Sequence, residues 1–454
     1  MRHVETGVTS GGGPRSYSPA RAWGVVLLLF LASIVSVIDR MVLSVVVEPV
    51  KHDLHISDVQ ISLLQGLAFG LFYATIGIWL GFAADRLNRR NLVIGGLALW
   101  SVATIAGGLA GSFGELFILR MMVGLGEAAL SPAAVSLIAD LFPPGKRGRP
   151  IGIFIMGQAV ASGIAISFTG AVLSAASRGD FLGVPLLSGL APWRIVFVLC
   201  GLIGIVVSLA FLFTREPVRE AEAARHSLRG QIGRTVRHLI RSRGRFIGVY
   251  LGFALCFLGI YGVAAWQVVL ISRKFSLSAS QVSAELGPIA LVFGFAGPLV
   301  AGYVVDMVVR RGGLIALLWF LAFIPFLAVP PALAVLAPTP LIAALMCGVQ
   351  SGVSATMGTA VLVYLQSATP ADMRGVAVSL TGLTNTLFAS SLGPMFIALT
   401  TEHVFHDDRM VGWSALWVAI PSYALAAVSF AVTAILLKRK EAVRAPVTAS
   451  AGSL

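Results

Sequence analysis

The chain has 454 residues, 57% of them hydrophobic and only 12% charged, with mean hydropathy +0.90 and a formal net charge of +13. Soluble domains carry about 25% charged residues, and here the apolar residues come in long contiguous runs, which excludes a soluble multidomain enzyme. The excess of Lys and Arg lies between those runs, so it speaks for membrane topology and against a nucleic-acid partner.

The first residues, 1–21, form a short polar tail containing Gly, Ser and Arg. Twelve apolar spans follow, each of roughly the 20 residues a bilayer-crossing helix needs: 22–50, 58–84, 91–111, 113–141, 148–175, 193–214, 246–272, 279–309, 312–336, 340–366, 374–400 and 411–437. They do not alternate as barrel strands do, so the fold class is an all-α membrane protein with twelve transmembrane helices. Span one carries Asp39-Arg40 and is too long for a cleavable signal. With the N-terminus inside, 25 of the 33 Lys and Arg fall on the cytoplasmic connections and tails and six on the other side, which predicts both termini cytoplasmic. Cys200, Cys256 and Cys347 lie within apolar runs at no metal spacing and read as small buried hydrophobes.

The connection 215–245 is long, polar and arginine-rich, and divides the chain into a six-helix bundle over 22–214 and another over 246–437, followed by a tail over 438–454. The halves repeat. Ser57-x-x-Gln60 returns as Ser278-x-x-Gln281, and Gly81, Asp85, Arg89 and Arg90 return as Gly302, Asp306, Arg310 and Arg311, all in one register. Half-chain repeats are how many secondary transporters are built, with substrate bound between the halves near the midplane.

On these residues the chain resembles the major facilitator superfamily. Gly81-Phe-Ala-Ala-Asp85-Arg86-Leu-Asn88-Arg89-Arg90 is similar to the signature after span two, and Arg120-Met-Met-Val-Gly124-Leu-Gly126-Glu127-Ala128 to that of span four. Asp39-Arg40, Asn88 and the run from Gly126-Glu127-Ala128 through Ile138-Ala139-Asp140-Leu141-Phe142 are similar to the Spinster family of lysolipid and sphingosine-phosphate transporters. The resemblance implies two bundles that rock to give alternating access. It also implies a conformational gate formed by Gly81, Asp85, Arg86, Arg89, Arg90, Asp306 and Arg310, in which Asp85 and Asp306 face helix N-termini of the other half.

Away from the span ends there are only four charges: Asp39, Arg40, Arg120 and Glu127. Each costs about 2.5–3.5 kcal/mol in the bilayer, so each needs a reason. Ser33, Ser36, Arg40 and Ser44 form a stripe on span one, and Arg120, Gly124, Glu127 and Ser131 form one on span four. At 1.5 Å per residue the four charges lie roughly 21–31 Å above the inner span ends, close enough in height to form one cluster. Asp39 and Glu127 are the proton-coupling candidates, since burial favours the protonated carboxyl. Arg40, Arg120 and Ser131 are candidates to bind an anionic headgroup. A structural ion-pair network locking two helices is the alternative. In the second half, Tyr250, Tyr261, Gln350 and Asn385 offer a less polar wall for the body of a substrate.

Gly124-Leu-Gly126-Glu127-Ala128-Ala129 follows no strand, so it fails as a dinucleotide motif. No phosphate-binding P-loop, catalytic triad or convincing metal cluster is legible, and no cofactor is expected. The expected protein is a monomeric carrier in the cell membrane whose partners are the lipid bilayer, protons and an amphiphilic or anionic small molecule. A proton-coupled carrier of small organic anions, a drug exporter, and a transport-dead sensor or scramblase are the alternatives to a lysolipid carrier.

Overall fold

A computed structural model describes residues 18–217, 228–370 and 373–444. Most of both tails and residues 218–227 of the basic connection lie outside them. Among the described residues every regular element is helical.

Span one is α1 (Pro19–Val45), continued after a break at Val46 by α2 (Val47–Leu54). Pro49 lies four residues after Val45, whose carbonyl its ring would strike in an unbroken helix. Span two is α3 (Asp58–Gln65) and α4 (Leu67–Arg86), interrupted at Gly66. Next come α5 (Arg89–Gly107), then α6 (Phe113–Glu127) and α7 (Leu130–Leu141). Pro132 explains the break between α6 and α7 as Pro49 explains the earlier one. The first half closes with α8 (Gly148–Ser177) and α9 (Pro192–Phe211).

The connection read as a linker contains an amphipathic helix, α10 (Leu228–Arg241), joined through Ser242 to α11 (Arg243–Phe275). Then come α12 (Ala279–Leu327), the single turn α13 (Val329–Ala332), α14 (Pro340–Ala368), α15 (Arg374–Thr384), α16 (Ser390–Thr400) and α17 (Val411–Arg444). A π-helical stretch, Asn385–Ala389, joins α15 to α16.

Eleven helices among the described residues are long and apolar enough to cross a membrane, one of them running over Ala279–Leu336. Straight, α12 alone would extend about 74 Å, over twice the hydrocarbon thickness. It is not straight: Gly313 adopts φ 62° and ψ −154°, outside any helical conformation. Both ends of this segment lie at the same end of the bundle. Ala279 follows Phe275 there, and Lys274 Nζ donates to the carbonyls of Val335 and Ala337.

The repeat has a structural counterpart. Ser57/Gln60 and Ser278/Gln281 both form reciprocal capping boxes, in which the serine side chain accepts from the third-residue amide and the glutamine accepts from the cap amide. They open α3 and α12 at that same end. The other end is rich in arginine. There Trp23 lies edge-on against Phe142, Arg89 meets Asp140 and Glu216, and Ser429 Oγ donates to the Gly248 carbonyl. Both ends of the described chain therefore lie at the arginine-rich end.

The halves meet along two seams of small residues. In the first, α8 lies on α12: a Cβ on Gly163 would sit 2.3 Å from the Leu291 backbone nitrogen, and one on Gly294 would sit 2.5 Å from the Ala159 carbonyl oxygen. In the second, a Cβ on Gly66 would sit 2.7 Å from Ser391 Cα. Backbone this close admits no side chain. Gly163→Ala is expected to cost about 1–3 kcal/mol by overpacking. Gly152→Ala in the same helix, with open space at its Cβ, should be neutral or stabilising; equal melting temperatures for the two variants in detergent would remove the seam from the account.

Candidate substrate and proton site

The break after α6 leaves Glu127 on the last helical turn, pointing at α1. Its Oε2 accepts from Arg40 Nε at 2.7 Å and from Ser36 Oγ at 2.7 Å, while Arg40 Nη2 donates to Ser36 Oγ at 2.9 Å. Glu127 Oε1 has no partner among the described residues. The Glu127 side chain is fully buried whereas that of Arg40 keeps 37% of its surface, so the pair presents its cationic side to open space. The Arg40 guanidinium carbon lies 4.8 Å from the Phe69 ring centroid and 5.1 Å from that of Tyr73. These two rings, stacked at 5.2 Å on one face of α4, favour the charge by cation–π attraction and fix the plane it offers.

The wall opposite belongs to the second half. Asn385 Nδ2 donates to the Tyr261 hydroxyl at 3.1 Å, and Tyr261 lies within electrostatic reach of Arg40 and Tyr73. Asn385 opens the π-helical stretch, a distortion that recurs at functional sites. Its Oδ1 is buried without a partner among the described residues.

The expected single cluster of four charges divides in two. Arg120 turns away from the Arg40–Glu127 pair and is 2% exposed. It donates from Nη1 to the backbone carbonyl of Asp39 at 2.8 Å and from Nε to that of Leu64 at 3.4 Å. Arg120 Nη1 and Nε are thus taken up by backbone carbonyls and its Nη2 is buried without a partner among the described residues, so Arg120 does not join the Arg40–Glu127 pair as expected. The Asp39 carboxyl is 1% exposed and neither oxygen accepts a hydrogen bond among the described residues; the Thr104 hydroxyl faces it from beyond hydrogen-bonding distance.

Other expected site residues are occupied in packing. The Gln350 amide donates to the Ile260 carbonyl in a buried position, and the Tyr250 hydroxyl donates to the Ala377 carbonyl at 2.7 Å. Both act as helix–helix ties, a correction to their reading as substrate contacts. Ser131 is half-buried, one turn past Glu127 across the helix break.

Of the gate expected at the arginine-rich end, Asp306 and Arg310 are exposed and carry no ion pair among the described residues; the docking expected for Asp306 is that of the outward-open state. The surroundings of Gly81 and the side chains of Asp85 and Arg86 lie outside the described residues. Arg89 is buried within the first half, donating to the carboxylates of Asp140 and Glu216. Arg90 donates its amide to Glu216 at 2.8 Å and its guanidinium to the Leu212 carbonyl at 2.6 Å. Glu216 thus sits on the N-terminus of α5, where a carboxylate is favoured.

The opposite end holds contacts that residue pattern had not singled out. Arg273, at the end of α11, donates to both oxygens of the fully buried Asp58 carboxylate at 2.8 and 2.9 Å and to Glu48 at 2.7 Å. Lys51 reaches Asp58 at 3.0 Å and also Asp408, and the Val59 amide donates to Glu402 at 2.9 Å. Burial works against the Lys51 charge, but its hydrogen bond to Asp408 and the nearby Asp58 carboxylate prevail and hold its pKa above the ordinary lysine value. The signals in the sequence were the acid beside the capping serine at 58, absent from the repeat at Ala279, and the Phe69/Tyr73 pair four residues apart.

The Major Facilitator Superfamily profile matches residues 29–394. An MFS-type efflux pump of Mycolicibacterium smegmatis is 26% identical over 86% of this chain and 87% of its own length. A probable L-galactonate transporter of Escherichia coli is 28% identical over 63% of this chain and 62% of its own. Among solved structures, a bacterial homolog of the human lysosomal transporter Spinster, in an inward-facing and unoccupied conformation, superposes with a TM-score of 0.76. It is 27% identical and covers 93% of this chain and 97% of that one.

Proposed function

The chain belongs to the major facilitator superfamily, and we propose that within it this multi-pass membrane transporter is a proton-coupled carrier of an anionic-headed amphiphile of the lysolipid or sphingoid-phosphate kind. The observation that carries the reading is the partly exposed Arg40 side chain bound to the fully buried Glu127. A proton on Glu127 removes the counter-charge, and Arg40 is then free to take a phosphate or carboxylate in two parallel hydrogen bonds. Asp39 is a second proton site: a buried carboxyl without donors is tolerated as the neutral acid and costly as the anion. Tyr261 and Asn385 meet the substrate from the other half. The resemblance of Asp39-Arg40, Asn88 and Gly126-Glu127-Ala128 to the Spinster family supports an amphiphile.

In this reading the segment over Ala279–Leu336 crosses twice, giving twelve spans in two bundles, with both termini and the arginine-rich end cytoplasmic in the cell membrane. The ion pairs at the opposite end then close the outer side, and the unpaired Asp306 and Arg310 belong to an inward-open state. A second reading, transport of small organic acids, is favoured by the galactonate relative and uses the same arginine.

Proteoliposomes with an imposed pH gradient separate the two. Gradient-dependent uptake of labelled lysophospholipid, lost in Arg40→Ala, is the expected result. Uptake of a sugar acid alone would move the assignment to the second reading, and no gradient-dependent movement of either would end both.

A further inference from the structure

We propose that α10 is an interfacial helix that binds the headgroups of anionic phospholipids at the membrane surface. Its position comes from its junction. One residue, Ser242, separates it from the membrane-crossing α11, and the His238 ring lies 6.0 Å from that of Phe246 on the first turns of α11. The helix therefore lies level with the lipid headgroups, packed on α11 and α15.

Around its axis the described part of α10 has three faces. Thr235 and Leu239 are buried against the protein. About 100° further round, Val236 and Ile240, 36% and 63% exposed, form an apolar strip that nothing among the described residues covers. Beyond it Arg234, Arg237 and Arg241 are exposed, and none of the three pairs with a carboxylate among the described residues. Residues 228–245 contain six arginines and no Asp or Glu. Positive-inside topology accounts for basic residues, but not for an apolar strip alongside them on an ordered helix. A lipid surface fits both: acyl chains take Val236 and Ile240, and phosphates take the arginines, each contributing about 1 kcal/mol near an anionic surface. Since α10 also touches α15, bound lipid anchors the helix that leads into the π-helical stretch opened by Asn385.

The test uses the full-length chain with one reporter, Ile240→Cys carrying an environment-sensitive fluorophore; Cys200, Cys256 and Cys347 are buried. In mixed vesicles, spin-labelled phosphatidylglycerol is expected to quench the reporter about threefold more than equally labelled phosphatidylcholine, given three basic side chains at the surface. Substituting Arg234, Arg237 and Arg241 together by Gln should bring that ratio to one without changing the melting temperature, and added inorganic phosphate should leave it intact. Equal quenching by the two lipids in the arginine-containing chain would overturn the proposal. So would loss of the preference on adding phosphate, which would identify a site for a soluble anion.

Discussion

Glu127→Gln is expected to uncouple the transporter from protons while leaving it able to move substrate. Glutamine keeps the shape and one hydrogen bond to Ser36 but carries no charge, so Arg40 stays available to an anion at every pH. In the native chain, binding of a lysophospholipid should tighten as pH falls, because each proton taken by Glu127 releases Arg40. A charge-assisted hydrogen bond contributes about 1.5–3 kcal/mol, so the high-pH and low-pH affinities should differ by about ten- to a hundredfold. The variant should bind with the low-pH affinity throughout. Exchange of substrate across the membrane should persist while a pH gradient no longer drives accumulation. If accumulation survives both in this variant and in Asp39→Asn, the Arg40–Glu127 pair is a structural tie and the proton path lies elsewhere.

The second large effect concerns the end of the bundle held by Asp58. Its carboxylate is fully buried and bonded to Arg273 and Lys51, joining the first half to the second. Removing one partner from a buried ion pair costs about 3–5 kcal/mol, because the charge left behind is still desolvated. Asp58→Asn can recover that cost by letting the halves part and rehydrating Arg273. A shift of about 3 kcal/mol is roughly a hundredfold in the open–closed equilibrium. Spin labels at His52 and Asp407, both exposed, should report a longer, broader distance distribution in the variant. Exchanging the charges with Asp58→Arg and Arg273→Asp should restore part of the native distance. An unchanged distribution in Asp58→Asn would show that the Asp58 carboxylate is not what holds that end shut, leaving it to the glycine seams and the Arg273–Glu48 and Lys51–Asp408 pairs.

Much of the architecture was legible before any coordinates. The predicted spans agree with the helices to within a few residues at most ends, because apolar length against bilayer thickness is a one-dimensional property. The paired capping boxes at Ser57 and Ser278 were readable for the same reason: a cap is completed within four residues. The bounds of the amphipathic helix in the basic connection, Leu228–Arg241, were not legible, since its apolar strip is only two described residues wide among arginines. Within the site, Arg40 and Glu127 stood out as charges in a membrane, and the stripe through Ser36 pointed to the side chain that bridges them.

What the sequence alone determined was therefore the membrane class, the span positions, the half-chain repeat and the four charges that demand an explanation. Each depends on hydrophobicity, charge or spacing along the chain. Tertiary structure decided which groups meet: that Glu127 pairs with Arg40 while Arg120 is taken up by the carbonyls of Asp39 and Leu64, that the Asp39 carboxyl is left without a donor, and that Asp58 finds Arg273 across 215 residues. The physical reason lies in distance and facing within the helices. Arg120 and Glu127 share a face of α6 but stand two turns, about 10 Å, apart, and the adjacent Asp39 and Arg40 of α1 point about 100° apart, so only one residue of each pair can meet at a given height. Ion pairing depends on that facing to within an ångström, while bilayer insertion hardly depends on it at all.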